Sequence, residues 1–203
     1  MATVEHSTLT SSELHEPKGI SSAASGKVYV ADGTGSGDWT TMQPSITGWG
    51  YYQDDSAEQT FNTTDAKLSI DGTGTETTEA YLPLDIRGSA SLWDTTNDKI
   101  TPTAVGDAYE ARINLPITSR TSANYAEVTL DIGGGASPTI VIHTSRIETN
   151  RTAPFSHSVV IPISCLSTFV TNGGQVFIST DTGSIGITDP SILIVRTHKE
   201  DIA

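Results

Sequence analysis

Two of the five histidines have a spacing that could support metal or acid–base chemistry. If residues 140–146 pair with residues 156–160 across a turn near Asn150, the imidazoles of His143 and His157 face each other on adjacent strands. Zinc sites use three or four such ligands, and the sequence offers no third ligand nearby. We therefore expect a cross-strand or subunit contact at these two histidines, and we predict neither a bound metal nor a cofactor.

Carboxylates cluster at two places in the sequence, and paired carboxylates are the working groups of glycosidases. They are Asp54, Asp55 and Glu58, followed by Glu76 and Glu79. Glycosidases hold their two carboxylates across a sugar cleft, and nothing in this spacing places these residues on opposite walls of one. Solvated loops are the favoured interpretation, and loops that hold calcium are the alternative.

The sequence contains no motif for a nucleophile or for phosphate binding. Cys165, the single cysteine, lies in the apolar run 159–166, where a thiol is normally a small buried hydrophobic group. The glycine-rich stretch 33–37 has its serine in the wrong position for a nucleophile elbow, and no Gly-Lys-Ser/Thr sequence follows a glycine turn. We therefore expect a protein without enzymatic activity, and a polysaccharide hydrolase is the least favoured alternative.

The elements that would position any site are predicted to be strands. The chain of 203 residues contains 31 Thr and 23 Ser, and β-branched Thr suits the solvent-facing side of a strand. Residues 108–115 and 125–132 alternate apolar and polar side chains, which places one face on a core and the other toward water. We predict an all-β fold, a jelly-roll β-sandwich with an extended N-terminal arm.

Eight to ten strands and no helical stretch are expected in this sandwich, because short apolar segments alternate with turn residues. The segments that carry the prediction are 48–52, 59–62, 66–70, 82–86, 91–93, 99–101, 108–115, 125–132, 139–143, 156–161, 175–180 and 191–196.

The last predicted strand contains four consecutive apolar residues, Ile192 to Val195. A continuous apolar run indicates burial on both faces, whereas a strand at the surface of a sandwich alternates. One face would fill the core and the other would meet a partner subunit; a covering loop is the alternative. We predict that Ile192 and Ile194 lie in a subunit interface, together with His143 and His157.

The formal charge of −13, from 24 acidic and 11 basic residues, argues against direct nucleic-acid binding, which requires basic groups that displace counterions. There is no basic run for an anionic membrane surface, and no segment has the ~20 apolar residues needed to span a bilayer. The first residues also lack the pattern of a signal peptide. We expect a soluble protein made in a cytoplasm, with no contact to nucleic acid or membrane.

Residues 1–45 contain few large apolar residues and cannot bury a core by themselves. A helical turn is expected at residues 10–15, followed by a short strand at residues 27–30. Such an arm is either a disordered tail or a segment that orders on a neighbouring protein. Large apolar and aromatic side chains are costly to leave in water, so they favour the second alternative. The predicted anchoring residues are Leu14, His15, Glu16, Pro17, Lys18, Tyr29 and Trp39. Residues 46–203 are predicted to form the head domain.

Three short segments of the arm resemble a known class of proteins. Residues 14–19, 28–33 and 35–39 resemble N-terminal segments of tailed-bacteriophage virion proteins, including fibre and decoration proteins. The likeness covers about a fifth of the chain, and no chemistry is attached to its motif.

The remainder of the sequence resembles the trimeric jelly-roll heads of the tumour necrosis factor and complement-type superfamily. The segments that carry this likeness are 48–51, 105–113, 172–178 and 192–196. The aromatic content of 6% departs from that pattern, because such heads pack their threefold axis with Tyr and Phe.

Together the two resemblances imply a homotrimeric structural protein on the surface of a phage virion, assembled in the cytoplasm of a bacterial host. The arm would bind the major capsid protein or another virion protein, and the heads would project as a capsid decoration or head fibre. The alternative is a short tail fibre or receptor-binding protein whose outer loops bind a host glycan. Tyr81 and Trp93 could stack on sugar faces in that case, although core packing is their favoured role.

Overall fold

The computed structural model describes residues 27–31, 37–41 and 47–200. The chain divides into two compact units, Met1–Gln43 and Pro44–Ala203. In the first unit, β1 (Lys27–Ala31) and β2 (Gly37–Thr41) form an antiparallel hairpin. The strand predicted at residues 27–30 is therefore present as β1.

The second unit is built from twelve strands and one short helix within its described residues. In chain order they are β3 (Gly48–Gln53), β4 (Gln59–Phe61), β5 (Ala66–Lys67), β6 (Trp93–Asp94), β7 (Lys99–Ile100), β8 (Ala108–Thr121), β9 (Tyr125–Asp131), β10 (Val141–Glu148), β11 (Phe155–Ser164), α1 (Ser167–Asn172), β12 (Gly174–Thr180), β13 (Ser184–Ile187) and β14 (Ser191–His198).

These strands form two antiparallel sheets that pack as a sandwich. One sheet contains β3, β14, β8 and β11, and β13 and β4 continue it along the second half of β8. The other contains β7, β12, β9 and β10, with β6 and β5 at its margin. The first and last strands, β3 and β14, are neighbours, and Gly48 lies opposite Arg196. Chain passage between two sheets in this order is a jelly roll, which confirms the predicted all-β fold class.

The alternating sequence of β8 places every second side chain in the core between the sheets. Ile113, Leu115 and Ile117 are fully buried, as are Val128 and Leu130 on β9. Burying one such side chain stabilises the fold by about 1.5–3 kcal/mol relative to leaving it in water. The period-two segments predicted at residues 108–115 and 125–132 therefore correspond to strands β8 and β9.

Residues 82–86, which were predicted to form a strand, instead form consecutive turns. The amide of Leu82 donates to the carbonyl oxygen of Glu79 at 3.2 Å, and that of Ile86 donates to Pro83 at 3.0 Å. Leu82 and Ile86 are nevertheless buried. These two residues are four positions apart, and both side chains lie on the inner side of the turns. Apolar content alone does not distinguish such turns from a strand.

The helix α1 was not predicted, because its residues Ser-Thr-Phe-Val-Thr-Asn favour strands. Its single buried side chain is Phe169. Gly173 ends the helix with φ 78°, and its amide donates to the carbonyl oxygen of Phe169 at 2.7 Å. Packing of Phe169 thus outweighs the local strand preference.

The side chain of an arginine lies inside the sandwich. Arg196, on β14, is fully buried and forms an ion pair with Asp85. Its Nη1 also donates to Thr103 Oγ1 at 3.3 Å, and Lys199 Nζ lies 3.2 Å from Asp85 Oδ2. Burial opposes ionisation of Asp85, but the hydrogen bonds from Arg196 and Lys199 outweigh it and hold the pKa of that carboxyl below its ordinary value.

Candidate functional site

The side of β14 that faces away from the core carries Leu193 and Val195. In the sheet, Leu193 lies opposite Tyr51 and Val195 lies opposite Trp49 on the neighbouring strand β3. These four side chains and Tyr81, which is 56% exposed, border a shallow hollow of about 600 Å³. We call these five residues the outer-face patch.

The segment that contains Tyr81 covers the free edge of β3. The amide of Trp49 donates to the carbonyl oxygen of Tyr81 at 2.9 Å, and that of Tyr51 donates to Thr78 at 3.0 Å. The rings of Trp49 and Tyr81 stack with centroids 4.6 Å apart and planes 22° apart. A strand from another molecule therefore cannot pair with this edge through backbone hydrogen bonds. A partner would contact the side chains of the outer-face patch instead.

A charged pair on β8 borders the outer-face patch. Arg112 lies opposite Leu193 and Glu110 lies opposite Val195. Arg112 Nε is 2.6 Å from Glu110 Oε1, with the two side chains 58% and 32% exposed. An exposed ion pair of this kind contributes little stability. The apolar surface beside it is therefore the part of this region that favours contact with another molecule.

A second group of exposed apolar residues lies at the start of β10, the outermost strand of the other sheet. Ile140, Val141 and Ile142 are 43–49% exposed there. We call these three residues the edge patch. Val160 on β11 is 50% exposed as well, but it lies opposite Arg112, on the same outer face as Leu193. An exposed apolar edge is a liability in a soluble monomer and typically marks a contact surface. Pro162 on β11 lacks an amide proton, so it hinders continuous strand addition there.

The predicted subunit contacts at Ile192 and Ile194 are wrong. Both side chains are fully buried inside one protomer, packed in the core between the two sheets. The closing strand does have two apolar faces, as the sequence indicated, but Leu193 and Val195 are the pair that faces outward. Four similar apolar residues in a row do not reveal which pair points inward.

The predicted facing of His143 and His157 is also wrong. His143 lies on β10 opposite Leu130, whereas His157 lies on β11 opposite Leu115, in the other sheet. The chain crosses from one sheet to the other between β10 and β11, so the two strands do not pair. Burial and the nearby Arg151 guanidinium lower the pKa of His157.

Of the predicted anchoring residues, Leu14, His15, Glu16, Pro17 and Lys18 lie outside the described residues.

The other two predicted anchoring residues, Tyr29 and Trp39, lie opposite each other in the N-terminal hairpin. Their rings meet edge to face with centroids 5.5 Å apart. Val28 and Val30 on the same hairpin are 39% and 51% exposed.

Trp93, Asp54 and Cys165, whose residue types could do chemistry, are buried in the fold. Trp93 is 1% exposed and donates its Nε1 proton to the carbonyl oxygen of Ile70 at 2.8 Å, so its ring cannot stack on a sugar. Asp54 is buried and accepts bonds from Ser56 and Gln59 at 2.7 and 2.8 Å. Cys165 is buried, which raises the pKa of its thiol to about 12.

Within residues 27–31, 37–41 and 47–200, no three His, Cys, Asp or Glu side chains are grouped closely enough to hold a metal ion. In the same part of the chain, no helix has the length and apolar character required to cross a bilayer.

No protein-family model matches the chain. No curated protein matches it either. Among solved structures, the Eiger tumour necrosis factor from S. frugiperda is 11% identical, with a TM-score of 0.40 over 79% of this chain and 98% of that one. The PRD1 vertex protein P5 is 12% identical, with a TM-score of 0.40 over 85% and 82% of the two chains. A Bacillus endospore appendage pilus protein is 13% identical, with a TM-score of 0.32 over 74% and 91%. Likeness at this level identifies neither a family nor a function.

Proposed function

We propose that this chain is a structural protein of a phage virion, a capsid decoration or head-fibre protein. Its N-terminal residues bind the capsid or another virion protein, and its jelly-roll heads assemble as a homotrimer on the particle surface. The observation that carries the proposal is the presence of two different exposed apolar patches on one sandwich, the outer-face patch and the edge patch. The resemblance of residues 14–19, 28–33 and 35–39 to tailed-phage virion proteins supports the location.

The two patches suit contact between copies of this chain. They lie on different sheets of the sandwich, the outer-face patch on β3 and β14 and the edge patch at the start of β10. If the edge patch of one copy packs on the outer-face patch of the next, the contact is head-to-tail, and a head-to-tail contact that closes forms a ring. Three copies would satisfy both patches on every subunit. Aromatic side chains such as Trp49 and Tyr81 are typical anchors of such interfaces.

Trimerisation would also make weak anchoring sufficient. Three N-terminal segments on one assembly bind with a high effective concentration after the first has docked, so modest contacts give a stable attachment. The exposed Val28 and Val30 of the hairpin are available for such a contact. The net charge of −13 keeps crowded copies soluble before they bind.

The assembly is tested by placing a charge in each patch. Ile142→Asp and Leu193→Asp each bury a carboxylate in the proposed contact, so sedimentation velocity should show monomers in place of trimers. Thr144→Asp is the matched control, because Thr144 is exposed on the same strand as Ile142 but lies outside the edge patch. Far-ultraviolet circular dichroism checks that each variant keeps its strands. A monomeric parent protein, or trimers that survive both substitutions, would contradict the proposed contact.

The virion role is tested by deleting residues 1–40. We expect the truncated protein to fold and form trimers but to be missing from purified particles, as measured by immunoblotting. Cryo-electron microscopy of intact particles then distinguishes many copies over the shell from a few copies at the tail, which would favour the receptor-binding alternative. Normal incorporation of the truncated protein would refute the anchoring role, and absence of the full-length chain from particles would refute the proposed function.

A further inference from the structure

A second, more polar hollow lies on the other side of the segment that carries Tyr81. Its volume is about 850 Å³. It is lined by hydroxyl and carboxyl side chains from four separate parts of the chain. The polar lining residues are Tyr52, Asp71, Thr77, Thr78, Glu79, Ser91, Asp94, Thr95 and Thr101. We call this feature the polar hollow.

The carboxylate of Glu79 is held in one position at the polar hollow. Tyr52 donates its hydroxyl proton to Glu79 Oε1 at 2.7 Å, and Ser91 Oγ donates to the same oxygen. Leu92 donates its amide proton to the Tyr52 hydroxyl at 3.1 Å, which fixes the phenol in turn. Burial, together with the nearby Glu79 carboxylate, raises the pKa of Tyr52 to about 12, so the phenol remains a donor near neutral pH. Glu79 is therefore preorganised without any rearrangement of its own.

The second oxygen of Glu79 is available to a ligand. The hydrogen bonds described for the side chain all end on Oε1, and Glu79 takes part in no ion pair among the described residues. A carboxylate oxygen accepts hydrogen bonds at two lone-pair positions. Glu79 is also exposed, so Oε2 can accept hydrogen bonds from a molecule that enters the polar hollow.

The charges around the polar hollow select against anions. None of its lining residues is Lys, Arg or His. Burial opposes ionisation of Asp71 and Asp94, but hydrogen bonds from Thr73 and from Asn97 outweigh it and lower the pKa of each carboxyl. Both carboxylates are thus negative near neutral pH and repel phosphates, sulfates and acidic sugars.

We propose that the polar hollow binds a neutral saccharide. A sugar ring presents several hydroxyl donors at once, which matches a lining of carboxylate and hydroxyl acceptors around the fixed Glu79. The volume lies within the range of small-molecule sites. The alternative ligand for such a lining, a divalent cation, would need several carboxylates converging on one point, and no such group exists in the described part of the chain.

This inference does not depend on the assembly or on a virion location. The polar hollow and the outer-face patch are separated by the segment around Thr78, which lines both. A trimer that buries the outer-face patch and a monomer that exposes it are both compatible with a saccharide in the polar hollow.

The test titrates the full chain with five sugars and follows binding by nuclear magnetic resonance. The sugars are glucose, galactose, N-acetylglucosamine and the trisaccharides cellotriose and chitotriose. We expect amide shift changes confined to residues that line the polar hollow, with at least one of these sugars. Glu79→Ala should weaken that binding about tenfold, because a hydrogen bond to a charged acceptor is lost. Glu76→Ala is the matched control, since Glu76 is an exposed acid three residues away that lines the hollow bordered by the outer-face patch instead. Its affinity should equal that of the parent.

A second variant leaves Glu79 in place. Thr95→Trp fills the rim of the polar hollow at an exposed position and should abolish binding without altering the thermal midpoint. Absence of shifts with all five sugars, shifts located outside the polar hollow, or equal affinity in Glu79→Ala would each overturn the proposal. Stronger binding of a trilysine peptide or of sialyllactose than of every neutral sugar would overturn it as well.

Discussion

Replacing Asp85 by Asn should destabilise the sandwich strongly, because it removes the carboxylate paired with the fully buried Arg196. Removing one partner of a buried ion pair costs about 3–5 kcal/mol, since the remaining charge keeps its desolvation penalty. The Asp85 side chain is 22% exposed, and Thr103 still contacts the guanidinium, so we expect the lower end of that range, about 3 kcal/mol.

Acid should diminish the effect of Asp85→Asn. The folded-state pKa of Asp85 is lowered, so its contribution is complete above the ordinary carboxyl pKa of about 3.9 and is lost as the pH falls through the folded value. The free energy of unfolding of parent and variant, measured by urea denaturation, should therefore differ most near neutral pH and converge in strong acid.

Two further variants separate the buried pair from ordinary surface charge. Glu110→Gln removes a carboxylate from the exposed pair with Arg112 and should change the free energy of unfolding by less than about 1 kcal/mol. In the double variant Asp85→Asn/Arg196→Met no buried guanidinium remains, so much of the lost stability should return. A loss in Asp85→Asn no larger than in Glu110→Gln, or a difference that grows in acid, would refute the reasoning.

Three other predictions concern the core and the turns. Ile194→Ala should lower the free energy of unfolding by about 2–5 kcal/mol in urea denaturation, and Leu193→Ala by less than half as much, because only Ile194 is fully buried. Cys165, whose pKa is raised to about 12 by burial, should react with Ellman's reagent near pH 8 only as fast as the protein unfolds; rapid labelling of the native protein would contradict its burial. Slight burial opposes ionisation of Asp181, but hydrogen bonds from Asn124 and Tyr125 lower its pKa to about 2, so Asp181→Ala should lower the thermal midpoint near pH 7 and have less effect near pH 2.

The parts of the fold that could be predicted from sequence are those in which burial follows a local period. Residues 108–115 and 125–132 alternate strictly, and they became β8 and β9. Residues 82–86 are as apolar as a strand but form turns, because Leu82 and Ile86 pack through contacts with distant residues that no local period reports.

The candidate site was harder to predict because it depends on pairing between distant segments. The pairing register of β14 with β3 and β8 determines which two of residues 192–195 face the core and which two face outward. One sequence signal could have located the outer-face patch. In Gly48-Trp49-Gly50-Tyr51 glycine alternates with aromatic residues, and a Cβ at Gly48 would collide with backbone atoms of Tyr81 and Pro83. The glycines therefore take the crowded face, which leaves both aromatic rings on the opposite one.

The adjacency of β3 and β14 has a practical consequence for display of foreign peptides on this protein. Because Gly48 lies opposite Arg196, the sandwich receives its N-terminal segment and releases its C-terminal residues at the same end. A domain fused after residue 200 would therefore lie close to the point where the chain enters the sandwich at β3. A peptide inserted at residues 150–153 would emerge at the opposite end, where β8 finishes at Thr121.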